Sequence, residues 1–353
     1  MQYREMAFVA GLTAIVSLCP QPVSAQGKPE GSTEKSWTLP RTADGRPDLQ
    51  GIWANNNATP LERPKELAGR ALLTDQEVAA MRKKAAELYN GKGDASFGDD
   101  IFQTVLASIK GSESGPHVKG TNEFDGGTGD YSSEWIVSRV WDNRTSLITD
   151  PPDGRLPPLT PEGKKRQEAA FAALSRPARS PADRMLSERC ITYGSPQLIA
   201  GYQSYYQIFQ TANSVVIMTE MIHDVRIIPL DRRPHVPSNV HNWFGDSRGH
   251  WEGDTLVIDT TNYKAASFMP ESSDKLHVIE RLTRTGPETL KYEITIDDPD
   301  TWTKPWSLMI PLRHSPDPIF EYACHEGNIG MAGILAGARA EEKATAEAAQ
   351  KAK

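Results

Sequence analysis

The chain has 353 residues and a formal net charge of −7. That length exceeds a typical single domain but suits one β-rich domain with long excursions. It carries no basic footprint for nucleic acid and no polybasic patch for an anionic membrane, so neither is expected as a partner.

Residues 1–25 read as a secretory signal peptide: Arg4 precedes an apolar run from Met6 to Leu18, and Val23-Ser24-Ala25 supplies small residues for cleavage. The run is too short to span a bilayer as a resident helix. Cys19 follows Leu18, where a lipoprotein site needs a small residue, so a soluble periplasmic or secreted protein without a membrane span is expected. Removing this segment takes away Arg4 and Glu5 and leaves the net charge unchanged. Residues 26–38 are polar and are expected to form a disordered linker. Export leaves Cys190 and Cys324 as an even pair, either a disulfide or two unpaired buried thiols.

Residues 39–336 are expected to form a single barrel-like β domain with N-terminal helices. Asp44 to Trp53 turns into a first strand anchored by Trp53. Thr74-Asp75-Gln76-Glu77 is a capping box, and Val78, Met81, Ala85 and Leu88 follow at helical spacing, which predicts a helix over 75–90 ended by Gly91 and Gly93. A short helix is expected at 101–109, a strand at 134–140 and a turn at 150–154. Thr160-Pro161 opens a helix that runs to Leu174.

From Tyr202 the pattern changes to period two. Strands are expected at 203–211, 214–222, 225–230, 248–252, 255–262, 276–285, 289–297, 304–312 and 318–324. Hairpin connections are expected at 251–254 and 285–288. The fold class is therefore mainly β: an antiparallel meander whose edges need closure or cover, which points to a barrel-like, lipocalin-like sheet. Residues 337–353 form a helical or disordered tail.

Gly245-Asp246-Ser247-Arg248-Gly249 fits G-x-S-x-G, the form of a nucleophile elbow. An elbow needs a helix after the serine, and the residues here continue as strand, tight turn and strand. A hydrolase using Ser247, with His250 or His241 as base, is the weaker reading. The more chemical signal is carboxylates on apolar faces. Alternation groups Val216, Met218 and Glu220 on one strand, Val278, Glu280 and Leu282 on another, and Val257 with Asp259 on a third. Each such carboxylate is either in a structural salt bridge to Arg226, Arg281 or Arg284, or faces a pocket. Tyr206, Met218, Trp302, Trp306 and Tyr322 are candidate walls for that pocket.

His223-Asp224 followed by Arg226 supplies a base and an anion-stabilising group, although Asp224 orients His223 only if the strand kinks between them. His235, His241 and His250 form a weak candidate metal set whose spacing matches no defined zinc motif. No metal and no cofactor is expected, since neither a phosphate loop nor a dinucleotide fingerprint is present.

The stretches "SLITDPPDGRLPPLTPEGKKR", "VRIIPLDRRPH", "GDSRGHWEGDTLVIDTTNY", "LHVIERLTR", "DPDTWTKPW" and "EYACHEGN" closely resemble a large family of uncharacterised exported bacterial proteins, common in acidobacteria and proteobacteria. The resemblance runs from about Leu39 to Arg339 and implies export, one domain and a Cys190–Cys324 pair; it brings no catalytic residues. The expected function is an exported, cofactor-independent enzyme of the lyase, hydratase or isomerase type acting on a small hydrophobic or aromatic ring compound. His223 would be the base, Glu220 or Glu280 the second acid or base, and Arg226 and Tyr322 the anion-stabilising groups. Asp246, Arg248 and Asp259 would form the rim and wall. The alternative is a non-catalytic, lipocalin-like periplasmic protein that binds a hydrophobic ligand.

Overall fold

Among the described residues there are ten strands and four helices: β1 (Gly51–Ala54), α1 (Asp75–Leu88), α2 (Asp100–Ile109), β2 (Ile148–Asp150), α3 (Pro161–Leu174), β3 (Tyr205–Gln210), β4 (Ser214–Thr219), β5 (Val225–Pro229), β6 (Asp246–Glu252), β7 (Thr255–Thr261), β8 (His277–Gly286), β9 (Thr289–Asp297), β10 (Trp306–Ser315) and α4 (Ile329–Lys351). The structure, a computed structural model, describes residues 37–89, 100–111, 139–198 and 200–351. These fall within one unit, Trp37–Lys353. The expected signal peptide, almost all of the linker and most of the strand at 134–140 lie outside the described residues.

All the strands belong to one antiparallel sheet of order β5-β4-β3-β1-β10-β9-β8-β7-β6, with β2 also paired to β10. Two meanders, β3 to β5 and β6 to β10, follow the expected hairpin order. The N-terminal strand joins them: Trp53 of β1 pairs with Tyr206 on one side and His314 on the other. Its indole donates to the Leu49 carbonyl at 2.8 Å and is fully buried, which makes it the expected anchor. No ladder links β5 to β6 among the described residues, yet these edges lie close together. A Cβ on Gly249 would sit 2.7 Å from Leu230 Cδ2 and 2.8 Å from Ile228 Cγ2, so β6 needs glycine at this approach.

The inner face is filled largely by apolar side chains. On β9 it takes Leu290, Tyr292, Ile294 and Ile296, and on β10 Trp306, Leu308, Ile310 and Leu312, all buried, while the residues between them point outward. Each such side chain contributes roughly 1.5–3 kcal/mol by leaving water. On β4 the inner face is Val215, Ile217 and Thr219, not Val216 and Met218 as the alternation suggested. That strand is apolar on both faces, so pattern alone could not choose between them.

The expected strand at 318–324 does not form; the chain there is coil and turn, and the Phe320 N–H donates to Glu220 Oε1 at 2.8 Å instead of to a ladder. The strand at 214–222 also stops early, because Glu220 leaves it and a tight turn occupies Met221–His223.

α1 begins at the expected capping box, with the Glu77 N–H on Thr74 Oγ1 at 3.2 Å and the Thr74 N–H on Glu77 Oε2 at 2.8 Å. It packs with α2 and Trp141 into a second small core. α3 opens at Thr160, which accepts the Gly163 N–H at 3.0 Å. Among the described residues no helix is long and apolar enough to cross a membrane. Cys190 and Cys324 are joined in a disulfide with Cα atoms 5.7 Å apart, the pairing that an oxidising compartment favours.

Candidate functional site

Loops outside the sheet, together with the end of α3, build a concave surface. After α3, a segment from Pro181 to Gly194 is fixed by local charge pairs: Asp183 receives Arg176 at 3.3 Å and Arg179 at 3.1 Å, and Glu188 receives Arg184 at 2.5 Å. The disulfide at Cys190 ties the same segment to the chain beyond β10. Opposite it runs the loop from Ala265 to Pro270, closed by the Ser272 hydroxyl on the Met269 carbonyl at 2.8 Å. Trp243 completes the wall, with the Lys264 ammonium 4.4 Å from its ring centroid. The cleft encloses about 460 Å³, and Leu174, Met185, Leu186, Tyr193, Trp243 and Phe268 give it apolar and aromatic sides. Its size is in the range that holds a small organic molecule.

Thr192 and Gly194 line this cleft, and behind them lies a buried polar layer. The Thr192 hydroxyl donates to Asp224 Oδ2 at 2.8 Å, the Tyr193 N–H reaches the same oxygen at 3.3 Å, and Gln197 Nε2 reaches it at 3.5 Å. Gly194, Gln197, Tyr206, Asp224 and Arg226 border a cavity of about 10 Å³, room for one water at most. Burial pushes the Asp224 carboxyl up to about 6 against these donors and the nearby His223.

The backbone that delivers Asp224 is strained. Ile222 has φ 60° and His223 φ 46°, left-handed values that cost a β-branched residue most. This is the kink that the His223-Asp224 pairing requires, but it sends the two side chains apart: Asp224 turns inward to Thr192, and the His223 ring is exposed. Glu220, just before the kink, is buried and held by the Phe320 N–H; burial raises its carboxyl.

Glu280 and Arg226 meet in the sheet interior as a bidentate pair at 2.6 and 2.7 Å, with the Tyr292 hydroxyl also on Glu280. Burial pulls the guanidinium down, and the facing carboxylate more than restores it, so Arg226 stays charged. Burial, then Glu280, pushes the Tyr292 phenol far up. This is the salt-bridge alternative for Glu280, sealed away from the cleft. His223, Glu220 and Glu280 thus occupy three separate environments.

The expected aromatic walls are interior packing. Tyr206 is buried with its hydroxyl on the Gln197 carbonyl at 2.6 Å, and Trp302 and Trp306 meet edge to face at 5.6 Å in the core. Met218 points to the outer face, and Tyr322 lies on the coil before Cys324.

Asp246, Arg248 and Asp259 do come together, on the outer face of β6 and β7. His235 bridges Asp246 at 2.9 Å and Asp259 at 3.2 Å, and His277 reaches Asp259 at 3.0 Å. The Asp259 bond, working against burial, raises the His277 imidazole, and that bond holds the Asp259 carboxyl down. Arg248 pairs with Asp246 at 2.8 Å and donates to the Pro234 carbonyl at 3.2 Å, so the group also pins the loop after β5.

His241 and His250 do not join His235; they bond the Tyr263 carbonyl at 3.0 Å and Glu252 at 3.1 Å. Among the described residues no three such side chains are arranged to hold a metal ion. Ser247 lies within β6, buried, with its hydroxyl 2.9 Å from that of Thr260, and β7 rather than a helix follows.

No protein-family model, curated protein or solved structure matches this chain. Reading the sequence alone missed Tyr193, Trp243 and Phe268. They sit on three loops without periodicity, and only the cysteine pairing hinted that one of those loops was anchored.

Proposed function

We propose that the protein is exported and binds a small hydrophobic ring compound in the cleft beside a barrel-like sheet. The cleft carries this reading: about 460 Å³ of concave space with the aromatic residues Tyr193, Trp243 and Phe268 in its lining. Membership of the exported bacterial family suggested by the six motifs belongs to the same proposal. The Cys190–Cys324 disulfide supports a periplasmic or secreted location.

Titration calorimetry with 2-naphthol, a neutral ring probe, tests this reading. Saturable binding weakened about tenfold by Trp243→Ala is expected for loss of one aromatic wall. Absence of binding to the wild type would overturn it.

A second reading adds turnover of the lyase, hydratase or isomerase type, and Asp224 favours it. A carboxyl raised to about 6 is suited to moving a proton near neutral pH, and Thr192, whose hydroxyl bonds it, is a lining residue of the cleft. In that reading Asp224 replaces His223, Glu220 and Glu280 as the acid or base. Mass spectrometry of the ring compounds that co-purify separates the two: binding returns them intact, and turnover yields product from wild type but not from Asp224→Asn.

A further inference from the structure

We infer that the cleft selects ring compounds bearing a carboxylate, and that Arg189 is the anchor for that group. This rests on the cleft being the binding site and adds the chemistry of the ligand. The charges around the cleft are almost all satisfied internally. Asp183 is matched by Arg176 and Arg179, and Arg184 by Glu188. Arg189 lines the cleft, is only partly exposed, and meets no carboxylate among the described residues. Arg189 is thus a cation beside an apolar hollow whose guanidinium is not already committed to an ion pair among the described residues.

The opposing charge is screened from the cleft. Asp224 is buried, is not among the residues that line the cleft, and has its Oδ2 bonded by the Thr192 hydroxyl, so Thr192 and Gly194 rather than this carboxylate border the cleft there. A second cation, Lys264, is stacked on the Trp243 ring at 4.4 Å and adds positive potential at that wall. A guanidinium offers two parallel N–H groups that match both oxygens of a carboxylate, a geometry that an ammonium lacks. An aromatic acid would therefore place its ring between Trp243, Tyr193 and Phe268 and its carboxylate on Arg189.

The test compares 2-naphthoate with 2-naphthamide, which has the same ring and nearly the same shape but no charge. Calorimetry on the full oxidised chain is expected to show naphthoate binding about tenfold more tightly, the advantage of a charge-assisted pair over a neutral one. Arg189→Gln should remove that preference, with naphthoate falling to the affinity of naphthamide for the same variant, and an unfolding midpoint close to that of the wild type shows that the variant is folded. Lys264→Gln should keep most of the preference. Equal binding of both compounds to the wild type overturns the inference and leaves the cleft reading standing. A preference that survives Arg189→Gln, or that disappears with Lys264→Gln, overturns the assignment to Arg189. Failure of both compounds to bind overturns the cleft reading along with it.

Discussion

Replacing Asp224 with Asn separates the cost of holding this carboxyl behind the cleft from everything else at the site. Folding raises it from 3.8 to about 6, chiefly because burial penalises its charged form. Between these values the folded chain keeps a proton that the unfolded chain has released. The stability tied to the protonated carboxyl is therefore complete below 3.8 and is lost as pH rises through about 6. A shift of this size sets a ceiling of about 3 kcal/mol, and residual solvent around the group reduces it to about 2 kcal/mol. Asn keeps an oxygen for the Thr192 hydroxyl and never ionises. Urea unfolding at a series of pH values should show wild type losing about 2 kcal/mol relative to Asp224→Asn from pH 4 to pH 7, and no more above that. Other carboxylates titrate in the same range but cancel in the difference. A difference that stays flat, or that favours the wild type as pH rises, would refute burial as the dominant influence on Asp224.

Arg226→Ala should destabilise the fold by about 3–5 kcal/mol in denaturant unfolding, because it strands the Glu280 charge in the interior. Joint replacement by Met at Arg226 and Leu at Glu280 should recover most of that loss; no recovery would mean that the pair is required for more than charge balance. Gly249→Val should cost about 1–3 kcal/mol by forcing β6 off Leu230 and Ile228, read as a lower unfolding midpoint. Removing the disulfide with Cys190→Ala and Cys324→Ala should cost about 2–5 kcal/mol, since it releases a loop spanning 134 residues in the unfolded chain. An unchanged midpoint would show that the unfolded chain is already restrained there.

Short-range signals were legible in the sequence. The capping box at Thr74 and Glu77, the Thr160-Pro161 start and the alternating residues of β8 and β9 each depend on neighbours a few positions apart, and each formed as read. Longer-range and two-sided features were not. β1 pairs with strands far along the chain on both sides, a choice made by burial of Trp53 rather than by any local pattern. On β4 a one-residue difference in face exchanged Met218 for Ile217, because both sets are apolar. The kink at Ile222 and His223 lacks the glycine or asparagine that usually marks a left-handed turn.

For the candidate site, the sequence showed which carboxylates were unusual but not their surroundings. Glu280 was correctly placed on an inner face, and Arg226 was among its named partners. The cleft itself came from three irregular loops meeting at the end of α3, an encounter that no periodicity encodes.

The buried pair of Arg226 and Glu280 also has a bearing on how the sheet meets other molecules. Among the described residues β5 and β6 each have a ladder on one side only, and an unpaired strand edge is the kind of surface on which a second chain can add a strand. Arg226 lies on β5 and Glu280 on β8, two strands in from β6, so their bond reaches across the interior and ties the β5 edge to the half of the sheet that carries the other edge. The pair is thus a latch that keeps two sticky margins turned towards each other. Losing it would raise the risk of self-association as well as lower stability.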